Sequence, residues 1–168
     1  YPNQRINLLR KYGNHPFPTE QKLEAEACDY CYQGTISDKK IESSQQEDKM
    51  NNAPEQYVVK RCSDTKYNGG WHTDLTADGL NALRWKELPF RSGESIIRFR
   101  YASEGEITVC CQIGNEMTQK VTLPATGNAW EETEVAVYTR DTRGYADFNL
   151  AVIEGAISLN YVEIITNK

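Results

Sequence analysis

From residue 80 onward the chain is a succession of short apolar alternations broken by turn residues, and this pattern most restricts its fold. In "SIIRFRYAS", Ile97, Phe99 and Tyr101 fall on one side of an extended backbone; in "EITVCCQIG", Ile107, Val109, Cys111 and Ile113 do the same. Strand side chains alternate between faces, so each segment has one apolar face to bury. "QKVTLP", "TEVAVYT", "ADFNLAVIE" and "ISLNYVEIIT" follow, separated by Gly, Pro, Asn or Asp, and "LNALRWKELPF" precedes them across the turn "RSGE". No segment has a helical period of useful length. About eight to ten short strands at regular spacing predict an all-β fold, an antiparallel β-sandwich of jelly-roll type. At 168 residues the chain is long enough for one domain with a real core.

Ahead of these strands the pattern is weaker. Residues 1–20 are polar, carry Pro2, Pro16, Pro18 and Gly13, and read as a linker or lead-in segment, leaving 21–168 as the domain. Residues 22–28 alternate and form a candidate first strand, and "YVVKRC", 57–62, is strand-like. Between them, about 35–56 is a long, charged insertion with almost no apolar periodicity, expected as an exposed loop. "SDTKYNGGWHTDLTADG", 63–79, is rich in turn residues and reads as a loop holding two rings and a histidine.

The formal net charge of −5 points away from nucleic acid and anionic membranes as partners. The apolar runs are too short to span a bilayer. The start "YPNQRINLLRK" lacks a signal-peptide core, so a leader has been removed or the chain is a piece of a longer one. The five cysteines, Cys28, Cys31, Cys62, Cys110 and Cys111, are read first as buried thiols. A Cys31–Cys62 or Cys28–Cys62 disulfide is the alternative. Cys110 and Cys111, adjacent in a strand, point to opposite faces and cannot share a metal.

"KLEAEA", 22–27, poses a puzzle. In a strand Glu24 and Glu26 leave the same face, and like charges side by side repel. Either water solvates them or a cation lies between them.

"KLEAEA", "GGWHTDLTADG", "FRYASEGEITVCCQIG", "VTLPATGNAW" and "GAISLNYVEII", in this order across 22–166, resemble the marks of carbohydrate-binding modules of family 6 and of closely related calcium-binding β-sandwich modules. The resemblance implies a structural calcium held by Glu24, Glu26 and Asn160, with backbone carbonyls after the first strand. Calcium takes six to eight hard oxygens, and two carboxylates on one face supply some of them. Asn160 stands where the family often has Asp, which removes one negative charge.

The resemblance also implies a sugar site in loops at one end of the sandwich, built from rings and a few polar groups. Here the sequence departs from the family: Leu75 takes the place of the tyrosine platform, Ser158 that of the usual Asn, and "VIEGAIS" has no tryptophan. Three outcomes stay open. Trp71, Tyr67, His72 and Asp74 form a rebuilt loop site, or the concave sheet face binds, or the sugar site is lost. Trp71 is the first candidate, with a ring folded back onto the sandwich as its alternative. Trp130, Trp85 and Tyr101 read as core or sheet residues, Asp78 as a turn former before Gly79, and Asn81 as a possible hydroxyl contact. The insertion at 35–56 either caps the site or is a tolerated surface loop.

Neither H-E-x-x-H, G-x-S-x-G nor a phosphate-cradling glycine loop occurs, and the two histidines, His15 and His72, lie far apart in sequence. The expected function is therefore a non-catalytic carbohydrate-binding module. It would target an attached, secreted glycoside hydrolase, the catalytic domain of the same parent chain, to a polysaccharide, outside or at the surface of a bacterial cell. A structural or protein-interaction sandwich that has lost the sugar site is the alternative; an independent hydrolase or lyase comes third.

Overall fold

A computed structural model describes residues 20–43, 59–63, 70–90, 92–139 and 144–166. The strands are β1 (Glu20–Glu24), β2 (Tyr30–Tyr32), β3 (Gly34–Ile36), β4 (Ile41–Ser43), β5 (Val59–Arg61), β6 (Trp71–Thr76) and β7 (Ala82–Pro89). They continue with β8 (Gly93–Ala102), β9 (Ile107–Ile113), β10 (Gln119–Leu123), β11 (Glu131–Thr139), β12 (Tyr145–Glu154) and β13 (Ala156–Thr166). One sheet runs β11-β8-β13-β6-β5, with β1 also on β13; the second runs β10-β9-β12-β7-β2. All pairings are antiparallel. The β-sandwich expected from the alternations is the fold observed.

The alternations set the core directly. Ile97, Phe99 and Tyr101 of β8 and Ile107, Val109, Cys111 and Ile113 of β9 are fully buried in one cluster between the sheets. Trp85 stacks on Phe148 across the second sheet, centroids 5.9 Å apart. Cys110 and Cys111 do part to opposite faces: Cys111 joins the inter-sheet core and Cys110 a second cluster outside it. Cys31, Cys110 and Cys111 are buried free thiols, so a Cys31–Cys62 bridge is not formed. Burial pushes the Cys31 thiol up to about 11, which leaves it protonated and unreactive.

Three expectations need correction. Residues 71–76 are not a loop: β6 is a central strand of the six-stranded sheet, paired to β13 and β5. Its Thr73 and Leu75 are fully buried and His72 nearly so, so the segment trades turn-like composition for ladder bonds and burial. The first strand stops at Glu24, and Ala25–Ala27 make a single 3-10 turn, so Glu24 and Glu26 are not on one strand face. The polar insertion is in part structured: β3 and β4 form a hairpin packed on the outside of the second sheet. Its remainder from 44 to 56, Tyr67 and the lead-in from 1 to 19 lie outside the described residues.

The hairpin is held by buried amides. Asn81 Oδ1 accepts from the Gly34 N–H at 2.7 Å, and its Nδ2 donates to the Gly34 carbonyl at 3.1 Å. Gln112 Oε1 accepts from the Ile41 N–H at 3.1 Å. Ile41 seals Tyr32, Ala82, Cys110 and Ala151 from water. A flat sugar-binding face on that part of the second sheet is thereby closed, and Asn81 is a clamp rather than a ligand contact.

The chain crosses between sheets repeatedly, and because successive strands run in opposite directions the β6–β7, β8–β9, β10–β11 and β12–β13 links share one end of the sandwich, while β7–β8 and β11–β12 cross at the other. The β12–β13 passage is a single residue, Gly155, at φ +89°, and a Cβ there would stand 3.0 Å from the Glu106 carbonyl oxygen. Its own carbonyl accepts from the Ala77 N–H at 3.1 Å. Gly155→Ala is expected to cost about 2 kcal/mol or more and to lower the Tm by roughly 4–8 °C, read by calorimetry. An unchanged Tm would mean this corner is not under the constraint described.

Candidate functional site

At the end where these four links meet lies an open cleft of about 580 Å³. Asp74, Leu75 and Thr76 from β6 line one wall, Ala102 to Glu106 of the β8–β9 link another, with Asn128 and Gly155 to Ser158 between them. Each wall follows from the local sequence. "SEGE" is too short and too polar to do anything but turn between β8 and β9. Asn128 takes φ 62°, a left-handed conformation that Asn tolerates better than most residues. Hydrogen bonds lock the two loops: the Ser103 carbonyl accepts from the N–H groups of Thr126 at 3.1 Å and Asn128 at 2.9 Å, and the Thr126 hydroxyl bonds it at 3.1 Å.

Asp74 is the sequence-predicted site residue that lines this cleft. It faces away from buried Leu75 and pairs in register with Ser158, whose hydroxyl donates to Asp74 Oδ1 at 2.7 Å. Lys60 Nζ stands 3.2 Å from its Oδ2 and His72 Nδ1 3.0 Å from its Oδ1. Burial pushes the carboxyl up, but the bonds from Ser158 and Lys60 and the adjoining His72 outweigh it and hold Asp74 below the usual range.

His72, one of the residues placed beside Trp71 in the expected site, is buried and belongs instead to a polar row on the outer face of the six-stranded sheet. Its ring centroid is 5.1 Å from that of Trp130. The Arg100 guanidinium, 1% exposed, lies 5.3 Å from the same ring. Trp130, whose indole N–H donates to Ser63 Oγ at 2.9 Å, roofs these two groups and is not a core residue. Trp71 sits at the far end of β6 from the cleft, roughly 10 Å along the strand from Asp74, the nearest lining residue of β6. It is 43% exposed, with the Arg61 guanidinium 5.7 Å from its ring. The structure therefore joins Asp74 and His72 on the outer face of β6, while Trp71 points to the other side of the strand. Trp85 and Tyr101 are core residues, as read, and Asp78 lies in the turn closed by the Gly79 N–H on the Thr76 carbonyl at 3.2 Å.

The expected calcium ligands fit an ion only in part. Asn160 is 2% exposed, and its Oδ1 accepts from the Arg100 guanidinium at 2.8 Å while its Nδ2 donates to the Trp71 carbonyl at 2.7 Å. An oxygen held by a fixed cation is not available to a second one. Asn160 thus serves as the clamp between β13, β8 and β6. Glu24 pairs with Lys22 at 3.3 Å. Glu26 is half-buried, and burial together with the charge of Glu24 pushes its carboxyl up. A carboxylate so placed gains from a cation. Among the described residues no group of three or more His, Cys, Asp or Glu side chains could hold a metal by itself.

The sequence reading missed Ser103, Glu104, Glu106 and Asn128. Their signal was present in the "ASEGE" and "TGN" turns, but turn residues announce loops without saying which loops meet.

No helix among the described residues is long and apolar enough to cross a membrane. Among curated proteins no relative matches the chain. Solved structures share the fold. The C-terminal family 6 module of LamC, a marine laminarinase from Zobellia galactanivorans, superposes with a TM-score of 0.62 at 18% identity, covering 88% of this chain and 99% of that one. A family 6 module of lichenase 5A from Cellvibrio mixtus, in complex with cellotriose, gives 0.62 at 17% identity, covering 88% and 98%. A family 35 module from Cellvibrio japonicus gives 0.58 at 15% identity, covering 89% and 94%. A family model described as a domain of unknown function, DUF5010, matches residues 1–30. The model of carbohydrate binding module family 35 matches residues 56–164, more than half of the chain and every strand from β5 to β12, and the chain therefore belongs to that family, a close relative of the one its motifs resemble.

Proposed function

We propose that this module binds a glycan in the cleft between its crossing loops, performs no catalysis, and holds an attached secreted glycoside hydrolase on its polysaccharide. The observation that carries the reading is the cleft itself. Ala156, with the edge of Ala102, offers apolar surface for the C–H face of a sugar, while Asn128, Ser158 and Asp74, beside Ser103, supply donors and acceptors for its hydroxyls. Tethering raises the local concentration of an attached enzyme without new contacts at its active site. Family 6 modules of similar fold are recorded with cellotriose and with cellobiose, which supports an oligosaccharide as the ligand class. Affinity is expected to be modest, because none of the described residues lining the cleft is aromatic and stacking on them is therefore weak.

That lack of a ring favours a second reading, a sandwich serving as a spacer or a protein-binding domain. Gly105 separates the two: it lines the cleft, and a Cβ built on it meets nothing within 4 Å. Gly105→Phe should fill the cleft and abolish glycan binding in affinity electrophoresis without lowering the Tm. Trp71→Ala should leave binding within about twofold. Loss of binding on Trp71→Ala with Gly105→Phe unaffected would move the site to the far end of β6. No retardation by any plant, algal or microbial glycan at millimolar concentration would favour the spacer.

The proposal includes a structural calcium at Glu24 and Glu26, completed by backbone oxygens and not by Asn160. An ion that binds only the folded state stabilises it by about 2.7 kcal/mol at a hundred times its Kd. Calcium is expected to raise the Tm by several degrees over chelated protein, and Glu26→Gln to remove that increment. A Tm indifferent to chelator would end the calcium assignment and leave the glycan reading standing.

A further inference from the structure

We infer that the loop-end cleft selects by charge: it takes glycans bearing protonated amino groups ahead of neutral ones and turns away those bearing carboxylates or sulfates. This rests on the cleft being the sugar site.

Among the described residues, the charged side chains that line it are Asp74, Glu104 and Glu106, all acids, with no Lys, Arg or His. Asp74 is engaged by Lys60 and His72. Glu104 and Glu106 stand exposed on the β8–β9 link, and neither is in an ion pair among the described residues. The three acids do not form a group that could hold a metal, so they act as a field and not as a chelate.

A second observation lies in the wall of the cleft. Ser103 lines the cleft, is 3% exposed, and its buried hydroxyl has no hydrogen-bond partner. Its main chain is held in place. Its N–H donates to Thr126 Oγ1 at 2.9 Å and its carbonyl accepts from two further N–H groups. A buried polar group without a partner is destabilising, and native proteins rarely keep one without a use. A hydroxyl both donates and accepts, so Ser103 Oγ can accept from an ammonium or a sugar hydroxyl. An amine beside it would lie on the same link that carries Glu104 and Glu106. Leu75, Ala102 and Ile157 keep water off one side, which strengthens any charge contact made there.

Exposed ion pairs are worth roughly two- to fivefold each in affinity, and two carboxylates together about tenfold. The effect is screened as salt rises.

The test is titration calorimetry on the whole chain at about pH 5.5, where amines and carboxylates are both charged. The probes are a glucosamine hexamer, the N-acetylglucosamine hexamer and an oligogalacturonate, each with added calcium and with chelator. The amine-bearing oligomer should bind about tenfold more tightly than its acetylated counterpart. The preference should fall toward unity in 0.5 M salt and in the double variant Glu104→Gln/Glu106→Gln, and galacturonate heats should be absent. Equal affinity for amine and acetylated oligomers, binding confined to neutral glycans, or galacturonate binding in either calcium arm would overturn the inference. If a neutral glycan binds and Gly105→Phe blocks it, the sugar site stands while charge selection falls. If no glycan binds at all, both fall together.

Discussion

The structure depends on burying two alternating faces against each other. Ile97, Phe99 and Tyr101 on one sheet, with Ile107, Val109 and Ile113 on the other, leave almost no exposed area on their inner faces. A chain that fills such a core must keep passing from sheet to sheet, and it does so four times at one end. The crossings are tight because the core is. Gly155 makes one of them alone, against the Glu106 carbonyl. The cleft is a by-product of that geometry: loops that must each turn back to the core leave a space where they meet.

The outer faces are handled differently, and the loop end stays open. On the second sheet the β3–β4 hairpin covers Tyr32, Ala82, Cys110 and Ala151. Its amide clamps, Asn81 and Gln112, satisfy backbone groups that would otherwise be buried without partners. On the six-stranded sheet, Trp130 roofs Arg100 and His72. Burying a guanidinium is costly unless it is bonded, and Asn160 supplies a bond. The same bond takes Asn160 out of any calcium shell. Asp74 ends this polar row and begins the cleft, so the two regions share one carboxylate.

Most of the fold was legible because period-two alternation survives wherever one face is buried, as in β8 and β9. It failed at β6. "WHTDLT" buries a histidine and a threonine as well as a leucine, so its hydrophobic contrast is low, and the glycines before it and the Asp-Gly turn after it look like loop. It failed in another way at "KLEAEA": the alternation is real, but the backbone leaves the strand after Glu24, and a period in sequence says nothing about where pairing stops. Of the predicted site, Asp74 reached the cleft, while Trp71, the most site-like residue by composition, stands at the opposite end of its strand.

The amino-acid sequence by itself determined the sandwich, the inner faces of its main strands and, through motif order, the kind of module. Those properties are local: they follow from side-chain alternation and turn chemistry within a few residues. Only the tertiary structure decided that Ser103, Asn128, Asp74 and Ser158 share a cleft, that Asn160 answers to Arg100, and that part of a polar insertion seals a sheet. Each of those joins groups from different strands or loops, brought together by the crossings the core imposes, and no local pattern encodes which crossings meet.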